Sequence, residues 1–348
     1  MFTSCLRDDF NMSGPESSLN KSFPGEELSD FRKRFSLYEA REASWRIFGK
    51  RIYFYVPGFT YYNNRYFRSS LTVFPSISIT GSFCSLNCDH CGGKILRTMI
   101  PATTPSRLIE VCSDLKRNGA IGCLISGGCL PDGSVPVERF IGAISEVKRR
   151  LGLTIVMHTG LISFETAQRL KEAGVDAVSI DIVGSEETVR EVYHLNVSLD
   201  KYAEALEALK RSGVPFTPHV LVGLHYGEVR GELKAIEMVS KYEPSALIII
   251  VFFPIRGTRM ESVSPPPPEA VIEIILRARF LMPNVPIVLG CARPKGAHRS
   301  ITDVLAVESG INAIAFPSVE AIERAESLGL EIRFLQTCCS QIYRDIKR

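Results

Sequence analysis

Three cysteines stand at Cys84-x3-Cys88-x2-Cys91, within the run Gly81 to Cys91 and directly after a β-like segment, Pro75 to Thr80. Thiolates are the usual ligands of iron–sulfur clusters, and this spacing on a strand-exit loop can wrap three irons of a four-iron cluster. The fourth iron then lacks a protein ligand. An open position on a metal is where substrates bind, so the spacing points to reactivity rather than to a structural or relay cluster. Two other chemistries compete. A closed zinc site needs a fourth ligand, and no second C-x2-C pair supplies one, while His90 would sit awkwardly between two cysteines in that role. A disulfide framework suits small secreted chains rather than 348 residues with no leader-like segment among the first thirty.

On these cysteines the chain resembles the radical S-adenosylmethionine (SAM) enzymes, and its strand-by-strand likeness from Pro75 to about Leu330 is to the biotin-synthase-like branch. The resemblance implies that Cys84, Cys88 and Cys91 hold a [4Fe-4S] cluster and that SAM chelates its open iron. One electron from a low-potential donor of the ferredoxin or flavodoxin type then yields a 5'-deoxyadenosyl radical. His90 matches the aromatic position that lies against the adenine. The pair Gly127-Gly128 follows Ser126 where the family takes the SAM amino group on bare backbone. Cys129 stands where the family commonly has an acid; it reads as a cluster ligand at a strand mouth or as a buried structural thiol.

Stepping outward from those residues, apolar runs of five to eight residues alternate with amphipathic helical stretches from Pro75 onward, as parallel strands buried on both faces require. Eight runs stand out: Ser76 to Thr80, Ile121 to Ser126, Leu153 to His158, Ala177 to Ile182, Phe216 to Val222, Ser245 to Phe252, Pro286 to Gly290 and Ile311 to Phe316. Helical stretches such as Arg107 to Asn118, Val137 to Leu151, Phe164 to Ala173, Tyr202 to Ser212 and Ala270 to Phe280 separate them. The expected fold is an α/β (β/α)8 barrel of the TIM type, complete or partial, with chemistry at the carboxyl ends of its strands. Residues 1–70 are read as a polar tail and helical extension, 71–330 as the barrel, and 331–348 as a segment over the barrel mouth.

Each strand end offers candidates. Ser179 and Asp181 share one face by the period of two, and similar positions in biotin synthase bind the SAM ribose; Asp181 as a turn cap is the competing reading. His158 reads as a substrate contact, a satisfied polar group or a second cluster ligand. Val222-Gly223, with Glu228 nearby, resembles the adenine-contacting strand and its glycine exit, and Arg256 reads as a carboxylate binder or a surface arginine. Cys291 ends the seventh run, and the adjacent Cys338 and Cys339 would be a liability on an exposed tail. A tail folded inward brings Cys129, Cys291, Cys338 and Cys339 toward an auxiliary iron–sulfur cluster. Cys112 and Cys123 read as core, and Cys5 lies in the tail.

The remaining composition is that of an ordinary globular chain. A formal net charge of +3 is too mild to call for nucleic acid or a membrane surface, and no apolar run reaches the ~18 residues of a membrane span. Ten cysteines fit a reducing, cytoplasmic setting. The expected function is sulfur insertion into an unactivated C–H bond. By resemblance this is one component of a two-protein lipoyl synthase acting on an octanoyl chain borne by a lipoyl-carrier protein, with a second radical SAM chain as partner. Other radical chemistry, such as a biotin-synthase-like reaction on a small molecule or methyl transfer, and a non-catalytic iron–sulfur or zinc protein are the alternatives.

Overall fold

The computed structural model describes residues 36–347. The expectations for the polar tail, for Cys5 and for helical residues before Ser36 lie outside the described residues. Eleven strands follow in chain order: β1 Arg51–Tyr55, β2 Ser76–Ser78, β3 Ile100–Pro101, β4 Gly122–Ser126, β5 Thr154–His158, β6 Ala177–Asp181, β7 Phe216–Val222, β8 Leu247–Val251, β9 Ile287–Leu289, β10 Ala313–Ala315 and β11 Glu331–Leu335. They form one sheet in the order β11-β1-β10-β9-β8-β7-β6-β5-β4-β2-β3, parallel at every pairing. All eight anticipated runs contribute a strand. The sheet ends at β3 and β11 instead of pairing with itself, so the fold is the partial form of the TIM-type barrel.

Helices cover the outer face, and their ends are written in the sequence. Ser36 and Glu39 close a capping box on the helix Leu37–Phe48. Thr104 caps Pro105–Arg117, which starts on the proline, and Gly152 and Gly213 end Ile141–Leu151 and Leu199–Ser212 in the left-handed conformation.

Alternation along the strands divides the interior into two apolar bodies. Ile52, Phe54, Ile125, Ile155, Met157, Val178, Ile180, Ile249 and Leu289 point out to the helices. Tyr53, Tyr55, Val156, Ala177, Ile248, Ile250, Val288, Ala313 and Ala315 point into the barrel and pack with Cys338, Cys339 and Ile342. Two segments therefore lie differently from their sequence-based assignments. Arg51–Tyr55, strand-like in sequence from Ile52 but grouped with the extension, joins the barrel sheet between β10 and β11, because its alternating pattern supplies both bodies. The stretch after β11, expected over the mouth, runs through the barrel.

Its course is fixed by polar contacts at successive depths. The Ser340 and Ser179 hydroxyls lie 3.1 Å apart halfway along β6. Farther on, Tyr343 donates to the Asp176 carbonyl and Arg344 to the Asp176 carboxylate at 2.9 Å, at the amino end of β6. The Tyr55 hydroxyl meets the Asp345 carboxylate at 2.8 Å. The segment thus plugs the amino-terminal half of the barrel, where apolar inward side chains need a partner.

One ion pair ties the late part of the sheet together. Arg293 and Asp303 are fully buried, with Nε and Nη2 each 2.8 Å from a carboxylate oxygen. The guanidinium also donates to the carbonyls of Gly290, Ala315 and Phe316, so all of its donor directions are used just past β9 and β10. Removing one partner of such a pair strands the other charge. Asp303→Ala is expected to lower stability by about 3–5 kcal/mol, read as a shifted midpoint in urea unfolding; a loss below ~1 kcal/mol would show that the pair does not brace the sheet.

Candidate active site

The cysteine loop leaves β2 at the carboxyl-terminal edge of the sheet. Cys88 is buried, whereas Cys84 and Cys91 are half-buried. Ligand atoms of Cys88, His90 and Cys91 lie within 4.8 Å of one another. The loop is packed on backbone that tolerates no side chain: a Cβ at Gly128 would lie 2.0 Å from the Phe83 carbonyl and 2.6 Å from the Cys84 side chain. The Gly128 amide donates to the Thr80 hydroxyl at 2.7 Å, and the Ser85 amide to the Cys129 carbonyl at 2.8 Å. Gly127 and Gly128 are thus close-approach glycines at the exit of β4, directly beneath the loop.

The thiols fall into two hydrogen-bonded pairs. Cys129 donates to Cys84, which with amide contacts around Leu86, Asn87 and Cys129 brings Cys84 down to about 5 despite burial. The Cys88 thiol and the neighbouring His90 bring Cys91 down to about 4. Their partners move the other way: Cys88 and Cys129 are raised by those same hydrogen bonds and by burial. Thiols already close enough to share protons are the donor set that a thiophilic iron cluster replaces protons on. The residues present fit such a group. The ring nitrogen Nδ1 of His90 is buried without a partner, and its ring tilts against Tyr193 at 5.5 Å.

A clamp holds this loop in place. Asp89 is buried between two of the cysteines, and its carboxylate meets His194 Nε2 at 2.6 Å, Arg259 Nη1 at 2.6 Å and the Tyr226 hydroxyl at 2.9 Å. These partners follow β6, β8 and β7, so one carboxylate ties the loop to three strand exits. Asn87, His194 and Tyr226 all hold positive φ, which for such residues is uncommon strain.

Inside the barrel, β5, β6 and β7 present His158, Asp181 and His219, with donor atoms within 4.8 Å of one another. His158 Nε2 lies 3.3 Å from Asp181 Oδ1. Burial alone would lower His158, but Asp181 and Cys338 carry it upward. Burial likewise opposes ionisation of Asp181, yet His158 and His219 hold it down at about 2. His219 goes down to about 4 through burial and the neighbouring His158. His158 and Asp181 thus favour each other's charged forms, beside a His219 imidazole for which burial favours the neutral form. Asp181 keeps 39% of its side chain accessible although protein surrounds it, the condition of a group lining a cavity. Ser179, one pleat deeper, is not open in this way: its hydroxyl is taken by Thr217 at 3.0 Å and by Ser340.

The late cysteines gather apart from Cys129. Cys338 and Cys339 share a hydrogen bond and feel Cys291, whose thiol is pushed up to about 11 by burial and by Cys338. Cys291 is accessible yet enclosed, again as a cavity-lining group. Cys338 comes down to about 7 through the Cys339 and Ser340 hydrogen bonds, with His158 adding to this. Cys129 instead partners Cys84. The four-cysteine grouping drawn from the sequence thus divides into one residue beside the loop and three in the barrel. Cys112 and Cys123 are buried against the helix layer.

At the exit of β7, Val222 points to the helices and Gly223 turns at φ 79° against Pro266. The residue supporting that turn was not evident in the sequence. Glu232, buried and raised to about 7 by desolvation, accepts the Gly223 amide at 2.8 Å, while Glu228 is exposed and pairs with Arg230 at 3.0 Å. Asp89 was missed too, although an acid inside the cysteine run was a signal. Arg256 stays on the surface.

Residues 78–239 match the family described as the Radical SAM superfamily. A biotin synthase from Leptospira interrogans is 24% identical over 249 residues, spanning 69% of this chain and 68% of that protein. Among solved structures, methylornithine synthase (PylB) aligns with a TM-score of 0.59 at 18% identity, covering 92% of this chain and 93% of its own. The [FeFe]-hydrogenase maturase HydG aligns at 0.63 and 14%, covering 92% and 72%. Both likenesses are of fold. No helix among the described residues is long and apolar enough to cross a membrane. With a cysteine loop on β2, a glycine pair beneath it and a partial parallel barrel behind it, residues 78–239 form a Radical SAM domain, and the chain is similar in sequence to biotin synthases.

Proposed function

We propose that the chain inserts sulfur into unactivated C–H bonds as one component of a two-protein lipoyl synthase acting on a protein-bound octanoyl chain. Cys84, Cys88 and Cys91 hold a [4Fe-4S] cluster, which together with SAM supplies the radical that removes a hydrogen atom from carbon. Cys291, Cys338 and Cys339 hold a second, auxiliary cluster as the sulfur source. The observation that supports this reading is that Cys338 and Cys339 are packed in the inner body of the barrel next to Ala292, where they interact electrostatically with Cys291.

In this reading each protein group has a positioning task. The bare Gly127–Gly128 backbone admits the amino group of SAM, and His90 and the Gly223 turn flank its adenine. Asp181 accepts hydrogen bonds from the ribose hydroxyls, and His158 fixes the orientation of that carboxylate. Val222 contributes backbone only. Ser179 anchors the inner segment. The plugged amino-terminal half keeps bulk water from the reacting carbon.

Iron and acid-labile sulfide counted on the anaerobically reconstituted chain test the proposal, with electron paramagnetic resonance as the second probe. About eight irons in the wild type and about four in a Cys84/Cys88/Cys91→Ala triple variant are expected for two [4Fe-4S] clusters. An iron-free triple variant would remove the auxiliary cluster and leave single-cluster radical chemistry; zinc in place of iron would mark a non-catalytic protein. Cys291→Ala is expected to keep SAM cleavage, assayed as 5'-deoxyadenosine, and to lose sulfur insertion. Retained insertion would sink the role of Cys291. Asp89→Asn should leave the fold intact while a chelator strips iron about tenfold faster, since supports of metal ligands are worth about 10–100-fold in metal retention; an unchanged stripping rate would reduce the clamp to a structural contact.

A further inference from the structure

Past the exits of β6 and β7, three further metal-ligating side chains stand together. Ligand atoms of Glu187, Glu191 and His225 lie within 4.8 Å of one another, as a group separate from the cysteines and from His158, Asp181 and His219. Glu187 and Glu191 are four residues apart on the helix Glu186–Glu191, so both carboxylates rise from one helix face. His225 comes from the loop after β7. The Glu228 amide donates to the His225 carbonyl at 2.9 Å and closes a tight turn, in which Tyr226 and Gly227 hold positive φ.

The imidazole separates this set from an ordinary acidic patch. His225 is only 7% exposed, and its Nδ1 lies 3.2 Å from the Thr188 hydroxyl. Among the described residues Nε2 has no hydrogen-bond partner. A ring fixed through one nitrogen, with the other left open, is how histidine is presented to a metal. The carboxylates are also oriented from outside. Arg230 donates to Glu187 Oε2 at 2.7 Å and Arg190 to Glu191 Oε1 at 3.5 Å, each arginine using one oxygen and leaving the other. The Arg230 hydrogen bond holds Glu187 below the usual carboxylate range, which keeps it an anionic ligand. Both glutamate side chains are 43% exposed, and that freedom lets them close from 4.8 Å to the ~3 Å spacing of ligands around one ion.

We propose that Glu187, Glu191 and His225 bind a single divalent transition-metal ion. One imidazole with two carboxylates suits Mn2+, Fe2+ or Zn2+, with water in the remaining positions. Bound there, the ion joins the helix after β6 to the turn after β7. That turn carries Tyr226, whose ring packs edge-on against His225 at 5.3 Å and whose hydroxyl meets Asp89 at 2.9 Å. The ion thereby braces the clamp on the cysteine loop from outside, without touching a thiol.

Mn2+ is the probe, because it favours oxygen-rich ligand sets over thiolates. Its free electron paramagnetic resonance signal is followed while it is titrated into the anaerobically reconstituted chain. The wild type is expected to bind about one Mn2+ per chain, and Glu191→Gln to weaken that binding about tenfold or more. Asp181→Asn is expected to bind as the wild type does, which keeps the ion out of the barrel chamber. Mn2+ should also raise the Tm of the wild type and of Asp181→Asn but not that of Glu191→Gln, since a ligand stabilises only the fold that binds it. His225→Gln should lose affinity as Glu191→Gln does, and the half-exposed Glu191 carries the test if the buried substitution fails to fold. A wild type that binds no Mn2+, or equal affinity in wild type and Glu191→Gln, would overturn the site. So would binding lost in Asp181→Asn and kept in Glu191→Gln, since the ion would then lie in the chamber. A chain that assembles no iron–sulfur cluster but still binds Mn2+ through Glu191 would fail the radical reading and leave this one standing.

Discussion

A parallel sheet curled into an incomplete barrel must bury both of its faces, and the rest of this molecule follows from that demand. Helices satisfy the outer face. The inner face cannot be satisfied by its own side chains, because strands such as β6 and β10 carry alanine inward at Ala177, Ala313 and Ala315. Small residues leave room, and the chain fills it with the segment after β11. The filling is partial by depth: Ile342 and the tyrosine contacts occupy the amino-terminal half, while His158, Asp181, His219 and Cys291 are left around an accessible carboxyl-terminal half. The division between packed floor and open chamber is the division between stability and chemistry.

The loop above that chamber illustrates how half-exposed thiols are held in place without being shielded. Cys84 and Cys91 are only half-buried, so the loop cannot rely on hydrophobic cover. Its rigidity comes from Asp89, whose three partners sit on separate strand exits, and from Gly128, whose missing side chain lets the β4 exit approach within contact of Cys84. Buried charge of this kind is costly unless every oxygen is occupied, and here it is. The pulling together of β6, β7 and β8 exits is the return on that cost.

Much of this was legible in the sequence because it was periodic or spaced. Each of the eight apolar runs became a strand, and the glycine pair and cysteine loop fell at neighbouring strand ends as their positions implied. What the sequence withheld was long-range. Arg51–Tyr55 looked like part of an extension because its partners, β10 and β11, lie more than 250 residues away. Ser179 looked like a ligand because alternation gives the face but not the depth at which a distant Ser340 arrives. Cys129 looked like a companion of Cys338 because a strand-mouth position does not say which thiol is the neighbour. Glu232 rather than Glu228 supports Gly223 because the loop between them reverses, which spacing alone does not encode.

The position of β1 governs the order in which the molecule can be made. Flanked by β10 and β11, it has no neighbour to pair with until residues 313–335 have emerged from the ribosome, and the inner segment can enter only once that seam exists. The cysteine loop after β2 is therefore synthesised early, while the chamber beneath it is sealed late. During that interval Cys338 and Cys339 are absent from their places, and the loop stands over an unfinished floor. Maturation is thereby ordered by connectivity, with the deepest cysteines the last to find their surroundings.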